Sequence, residues 1–502
     1  MEANNAPARE SGSAGNASVG LDISQWKYLP AEQREAQMQA ILTVEASGTG
    51  NGGGPTLAQV LVLDCSGSMA YPQEKLRAAH QAAVAALRVL PDGTPFAVVQ
   101  GTQSAAMVHP TTRTMARADR RNRSQAEHAV HQLMAGGGTC IGSWLDLSRR
   151  LLAEADAPIG HVLLLTDGKN QHDEVMPLKD VLEACAGRFV CDAWGIGDGW
   201  DARELLRITG RLHGQASAVR EEADLPREYE QLVRGLLAKS VPEVVISVTP
   251  MPGAEVRSLK QVYPTEVELT AVETGHDGAG HDGTRRFVTR AWGDEARRYQ
   301  LCLSADPAGR PHGEDLQLAV VSLDVPDGEG VELTPPLPCL VHWTDDPALS
   351  ERSDVHVVHF ERHRKVAEAV RDAADTYEAG MRDLAEEHLG RAVRIAHAIG
   401  PGGPLDWLAR LVEILDAEEG RVRLLPGLAT VDFEHALLGS ARSVYTPVSE
   451  NAGGTAAPDA GPEFLPGGSP VAATVPCPEC ELPADAAAYF CSRCRHPLKE
   501  QP

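Results

Sequence analysis

The run AQVLVLD (58–64) is apolar at almost every position and ends in a carboxylate. Side chains of a strand point alternately to its two faces, so such a run fits only where both faces are buried, as in a mostly parallel sheet covered by helices on each side. The rest of 55–240 has the matching pattern. PFAVVQG (95–101), HVLLLTD (161–167) and FVCDAWGIG (189–197) are further short apolar runs. KLRAAHQAAVAALRVL (75–90), SWLDLSRRLLAEA (143–155) and YEQLVRGLLAKS (229–240) carry helical spacing between and after them. The expected fold class is α/β, a doubly wound sheet whose ligands gather at the carboxyl ends of the strands.

The flanks read differently. From 241 to 345, runs such as VVISVTP, TEVELTAVE and LQLAVVSLDV alternate with period two between Gly, Pro and Asp turns, the pattern of an antiparallel β-sandwich. MQAILTVEA (38–46) is one more strand of that kind, so 23–54 is expected to join the sandwich, the alternative being an independent edge strand, with 1–22 disordered. Residues 351–445 have helical spacing and form a helical region, including DWLARLVEILDAEEG (406–420) after the GPGGP break. The stretch 446–475 cannot bury a core and reads as a flexible linker to a last module at 476–500. HDGAGHDG (276–283) reads as a polar hairpin loop.

With 46 basic against 70 acidic residues the formal charge is -24, which repels nucleic-acid backbones and anionic membranes. The start has neither a basic nor an apolar leader region and no later run reaches the roughly 20 apolar residues of a membrane helix, so a cytoplasmic protein is expected. Cys65, Cys140, Cys185, Cys191, Cys302 and Cys339 sit in core-like segments and read as buried structural thiols.

Three strand-to-helix junctions carry oxygen donors. LVLDCSGSMA supplies Asp64, Ser66 and Ser68, AGGGTCIGSW supplies Thr139, and HVLLLTDGKN supplies Asp167. Ser or Asp after a strand can simply cap a helix. If the strands ending at Asp64 and Asp167 are neighbours, however, two carboxylates and three hydroxyls share one crevice. That is a hard oxygen site for Mg2+ or Mn2+. DCSGSM, the Thr139 loop and LTDG resemble, in order and spacing, the metal-ion-dependent adhesion site of von Willebrand factor A (vWA) domains, whose fold is Rossmann-like. The resemblance implies that Ser66, Ser68 and Thr139 contact the ion, that Asp64 and Asp167 do so directly or through water, and that an acidic residue of a partner completes the shell. The whole chain is also similar to actinobacterial cytoplasmic vWA proteins, some associated with kinase and phosphopeptide-binding signalling partners.

Cys477 and Cys480, then Cys491 and Cys494, form paired C-x-x-C knuckles, the spacing of a closed four-cysteine zinc ribbon with Zn–S bonds of about 2.3 Å. A closed site is structural. No phosphate-binding loop, G-x-S-x-G elbow or H-E-x-x-H motif occurs. The expected function is therefore a non-enzymatic scaffold that binds a partner's carboxylate through Mg2+ or Mn2+, with Zn2+ in the ribbon and no nucleic acid, membrane or small-molecule substrate. Two readings stay open: a vWA accessory subunit of an ATPase-driven chelatase or remodelling machine, and a metal-dependent hydrolase with His172 as its base.

Overall fold

Strand Leu57–Asp64 is buried along its whole length, as its near-continuous apolar run requires. In the computed structural model it lies between Ile159–Thr166 and Pro95–Gly101, parallel to both, in a seven-stranded sheet. Val190–Gly195 and Ala216–Ala218 extend the parallel sheet on one side, and Ala105–His109 closes the other side antiparallel. The chain leaves Asp64 towards one edge and later returns to the other, so the strand order reverses there. A crevice for ligands opens at such a point.

The structure describes residues 17–32, 36–49, 57–155, 157–272, 283–326, 328, 330–400 and 403–444, with the short stretches 474–476 and 483–485. The segment 1–16, most of the loop at 276–283, the linker up to residue 473, and Cys477, Cys480, Cys491 and Cys494 lie outside the described residues.

Alternate residues of the central strands feed two different cores. Val60, Val62, Val162 and Leu164 face Trp144, Leu145, Leu178 and Leu205, whereas Leu61, Leu63, Leu163 and Leu165 face Ala79, Leu87, Val130 and Tyr229. Each fully buried Val or Leu is worth about 1.5–3 kcal/mol, so both layers are held firmly and the strand ends are fixed in place.

Two six-stranded sheets share a third core. One runs Val267–Leu269, Ala254–Tyr263, Glu295–Ala305, Ala36–Ser47, Ser18–Gln25, Glu332–Leu333. The other runs Ala271–Val272, Arg285–Trp292, Val241–Pro250, Asp315–Asp324, Leu337–Thr344, Tyr28–Pro30. Met38, Leu42, Tyr299 and Leu301 of the first meet Ile246, Trp292, Val321 and Trp343 of the second. Ala36–Ser47 pairs with strands on both sides, one of them beyond the α/β segment. The sheets are antiparallel except where Ser18–Gln25 meets Glu332–Leu333 and Tyr28–Pro30 meets Leu337–Thr344. Residues 18–22, expected without order, form the first half of a strand, because Val19 and Leu21 point into this core.

Helices Val355–Glu378 and Arg382–Ile399 form a hairpin whose Val366, Val370, Leu389 and Val393 join the core under one face of the α/β sheet. The helix expected over 406–420 is corrected. Pro404–Leu408 is a short helix, and Val412–Asp416 and Arg421–Leu424 are a two-stranded hairpin. Its turn is set by the Asp416 carboxylate, which accepts from the Glu419 amide at 3.0 Å, and by Gly420 at φ +72, a conformation few other residues adopt. Leu408, Leu411 and Val412 fit a helix by spacing, but the turn chemistry prevails. Residues 1–448 and 449–502 are separate units; in the second, Thr474–Pro476 pairs antiparallel with Pro483–Asp485. Among the described residues no helix is long and apolar enough to cross a membrane.

Candidate metal centre

The three loops expected to converge do so at the switch point. Leu63 pairs with Leu165, which brings Asp64 beside Thr166 and Asp167 at adjoining strand ends. The Asp64 carboxylate accepts from the Ser66 amide at 2.7 Å and from the Thr166 hydroxyl at 2.6 Å. Ser66 Oγ and Ser68 Oγ are 3.0 Å apart, and Ser68 Oγ donates to Asp167 Oδ1 at 2.6 Å. Asp64, Ser66, Thr139 and Asp167 are buried, while Ser68 stands at the surface and marks the open side of the cup.

Thr139 arrives on the loop between two helices. The Gly67 amide donates to the Gly137 carbonyl at 2.9 Å, and the Gln171 amide donates to the Thr139 carbonyl at 2.8 Å, which ties this loop to both aspartate loops. Gly137 has φ +86 and a Cβ there would collide with Gln103, so the glycine is needed to let the loop close in. A Cβ at Gly168 would lie 3.8 Å from both Ser68 Oγ and Thr139 Oγ1, so these hydroxyls flank one point.

Thr139 Oγ1 is buried and makes no hydrogen bond. A buried hydroxyl left unpaired costs about 1–3 kcal/mol, and this one stands across Gly168 from the Ser68 hydroxyl. Among the described residues no three His, Cys, Asp or Glu side chains come together, so an ion in this cup would be held by two carboxylates with hydroxyls. That donor set fits a hard divalent cation. Burial pushes the Asp64 carboxyl up from its ordinary value; hydrogen bonds from Thr166 and Ser66 pull it down, and the Asp167 charge adds to the rise. A divalent ion would offset that like-charge repulsion.

A family model described as von Willebrand factor type A domain matches residues 58–218. A solved structure, von Willebrand factor type A from Catenulispora acidiphila, is 31% identical, covers 87% of this chain and 99% of its own, and superposes with a TM-score of 0.76. The chain belongs to the von Willebrand factor type A family. The ArnB paralog VWA2 from Sulfolobus acidocaldarius shares the fold at 12% identity, with 86% of this chain and 100% of that chain covered and a TM-score of 0.50. No curated protein matches the chain.

The vWA domain, a module of protein interaction and metal binding, carries here a feature that motif reading missed. Lys75, on the first turn of helix Gln73–Val89, is 5% exposed and places Nζ 2.6 Å from Asp167 Oδ2. Both Asp167 oxygens are thus engaged, one by Ser68 and one by Lys75. The sequence held a signal for it: Lys75 shares a helical stripe with Ala79, Ala82 and Ala86, all buried, and a lysine on a buried stripe must find a counter-charge. Thr166, which fixes Asp64, also went unread. His172, the base required by the hydrolase reading, packs over Gly138, where a Cβ would lie 2.3 Å from its Nε2, and its Nδ1 is 3.3 Å from Glu174.

Proposed function

We propose that this vWA cup takes Mg2+ or Mn2+ through Asp64, Ser66, Ser68, Thr139 and Asp167, and that the bound ion binds a carboxylate of a protein partner. The observation that carries the reading is the buried, unpaired Thr139 hydroxyl, which flanks the same point beside Gly168 as the Ser68 hydroxyl, itself in contact with Ser66 and Asp167. When bound, the ion supplies positive charge at the open side of the cup, where it attracts an anionic group. Asp64 is oriented for this by Thr166 and by the Ser66 amide.

The surroundings suit a macromolecular partner. The three most exposed large apolar side chains of the described residues are Tyr71 at 85%, Met134 at 79% and Val175 at 67%. Each lies on or just beyond one of the loops that deliver Ser68, Thr139 and Asp167. Apolar groups around a charged centre are the composition of an interface core, and they have little use in hydrolysing a small polar substrate. On this reading the protein is a scaffold that holds its partner without turning over a substrate. It works in the cytoplasm, in keeping with the free thiols at Cys65, Cys140, Cys185, Cys191, Cys302 and Cys339, and Cys477, Cys480, Cys491 and Cys494 hold a structural Zn2+.

The test compares wild type with Asp64→Ala and Thr139→Ala chains that keep their fold. Wild type should recover its partner from the native host as Mg2+ is restored. Both variants should lose it, because truncating one side of a buried charged contact costs about 2–5 kcal/mol, more than tenfold in affinity. Recovery of the same partner by both variants at wild-type affinity would move the binding surface away from the cup.

A further inference from the structure

Lys75 has no place in the ligand set, yet it is the most thoroughly buried lysine described, and it is aimed at a ligand. Its ammonium is 2.6 Å from Asp167 Oδ2, with side-chain exposures of 6% for Lys75 and 0% for Asp167. The fold makes room for the stem. At Gly197, φ +72, a Cβ would fall 2.7 Å from Lys75 Cδ, so the strand end opposite has a glycine where the lysine passes. The helix that carries Lys75 begins a few residues after Ser68, so the lysine and the serine hydroxyls lie on one continuous segment of chain.

We propose that Lys75 is the cup's built-in countercharge: it neutralises Asp167, sets the affinity of the cup for a divalent ion, and shifts the charge of the loaded cup by one unit towards the partner. The inference rests on the metal reading above and deepens it. Two carboxylates alone would leave a divalent ion fully neutralised. With the ammonium counted, the cup carries one negative charge without the ion and one positive charge with it, which a single partner carboxylate balances. The same cation steadies the two aspartates when no ion is present. It must therefore oppose ion entry, by repulsion across a short, poorly screened distance and by holding the Asp167 oxygen that a direct ligand would use.

The test uses the full chain, with Mn2+ alone as probe. Titration calorimetry counts as cup binding only what Asp64→Ala lacks, and melting is followed with and without Mn2+. Lys75→Met and Lys75→Gln should bind Mn2+ tighter than wild type by roughly tenfold or more. Both should melt lower than wild type without Mn2+ and recover that loss when saturated. Wild type that binds Mn2+ with variants of equal or weaker affinity overturns the role of Lys75 and leaves the metal reading standing. Binding by the variants but not by wild type supports Lys75 as the resident cation and overturns the metal reading for the native chain. No cup binding by any of them overturns both. Variants that stay unfolded even in saturating Mn2+ make Lys75 a packing residue and end the proposal.

Discussion

Thr139 shows how much one hydroxyl can decide. It is buried, its oxygen has no partner, and its backbone carbonyl already braces the loop that follows Asp167. Its side chain therefore contributes nothing to the fold that valine could not. Thr139→Val should stabilise the protein by about 1 kcal/mol in the absence of Mg2+ and Mn2+, because it removes an unsatisfied buried group at nearly constant volume. The same variant should lack the rise in melting temperature that the metal reading expects of wild type in Mn2+. Denaturant titration and thermal melting measure the two effects separately, and a destabilised metal-free variant would assign the hydroxyl a structural partner. The five oxygen-bearing residues of the cup were legible as a group because their types and spacing are unusual after buried strands. Lys75 was not, since its meaning depends on Asp167, far away in sequence and adjacent only once the strand order is known.

At the scale of elements, helix Val355–Glu378 buries His363, 6% exposed, with its ring 4.8 Å from that of His359. Burial first, and then the His359 charge, lower the His363 pKa from 6.5 to about 4, against a smaller upward pull from the Val444 carbonyl. Burial likewise lowers His213 and His435 to about 4. Each stays neutral in the fold at a pH where the unfolded chain binds a proton. Their stabilisation is therefore complete above pH 6.5 and is lost as the pH falls from about 6.5 to about 4. His363→Leu should remove one such term, so the melting temperature of the variant should improve relative to wild type across that window. Parallel curves would show that His363 does not titrate between the two states. Elements were also where periodicity misled: the spacing of Leu408, Leu411 and Val412 fits a helix, but the Asp416 and Gly420 turn makes a hairpin, because local backbone chemistry outweighs a short apolar pattern.

At the scale of the whole molecule, the zinc site proposed for Cys477, Cys480, Cys491 and Cys494 predicts one zinc per chain in protein purified without chelator. Cys480→Ser should abolish it, and elemental analysis of the intact chain measures both; a zinc-free wild type would remove the ribbon from the account. The first unit is more interwoven than a division into successive modules implies. The Glu434 carboxylate accepts from the Ala202 amide at the start of a vWA helix, and Arg442 donates to the Ala216 carbonyl and Ser217 hydroxyl. Phe433 and Leu437 share the vWA core. By itself the sequence determined that Leu57–Asp64 had to be a buried strand of a parallel sheet with oxygen donors at its end, because both follow from side-chain type at short range. Only the tertiary structure decided which strands flank it, that Lys75 reaches Asp167, and that the helices after residue 355 close over the vWA sheet. Each of these joins groups distant along the chain, and nothing in local periodicity records which of several apolar faces will meet.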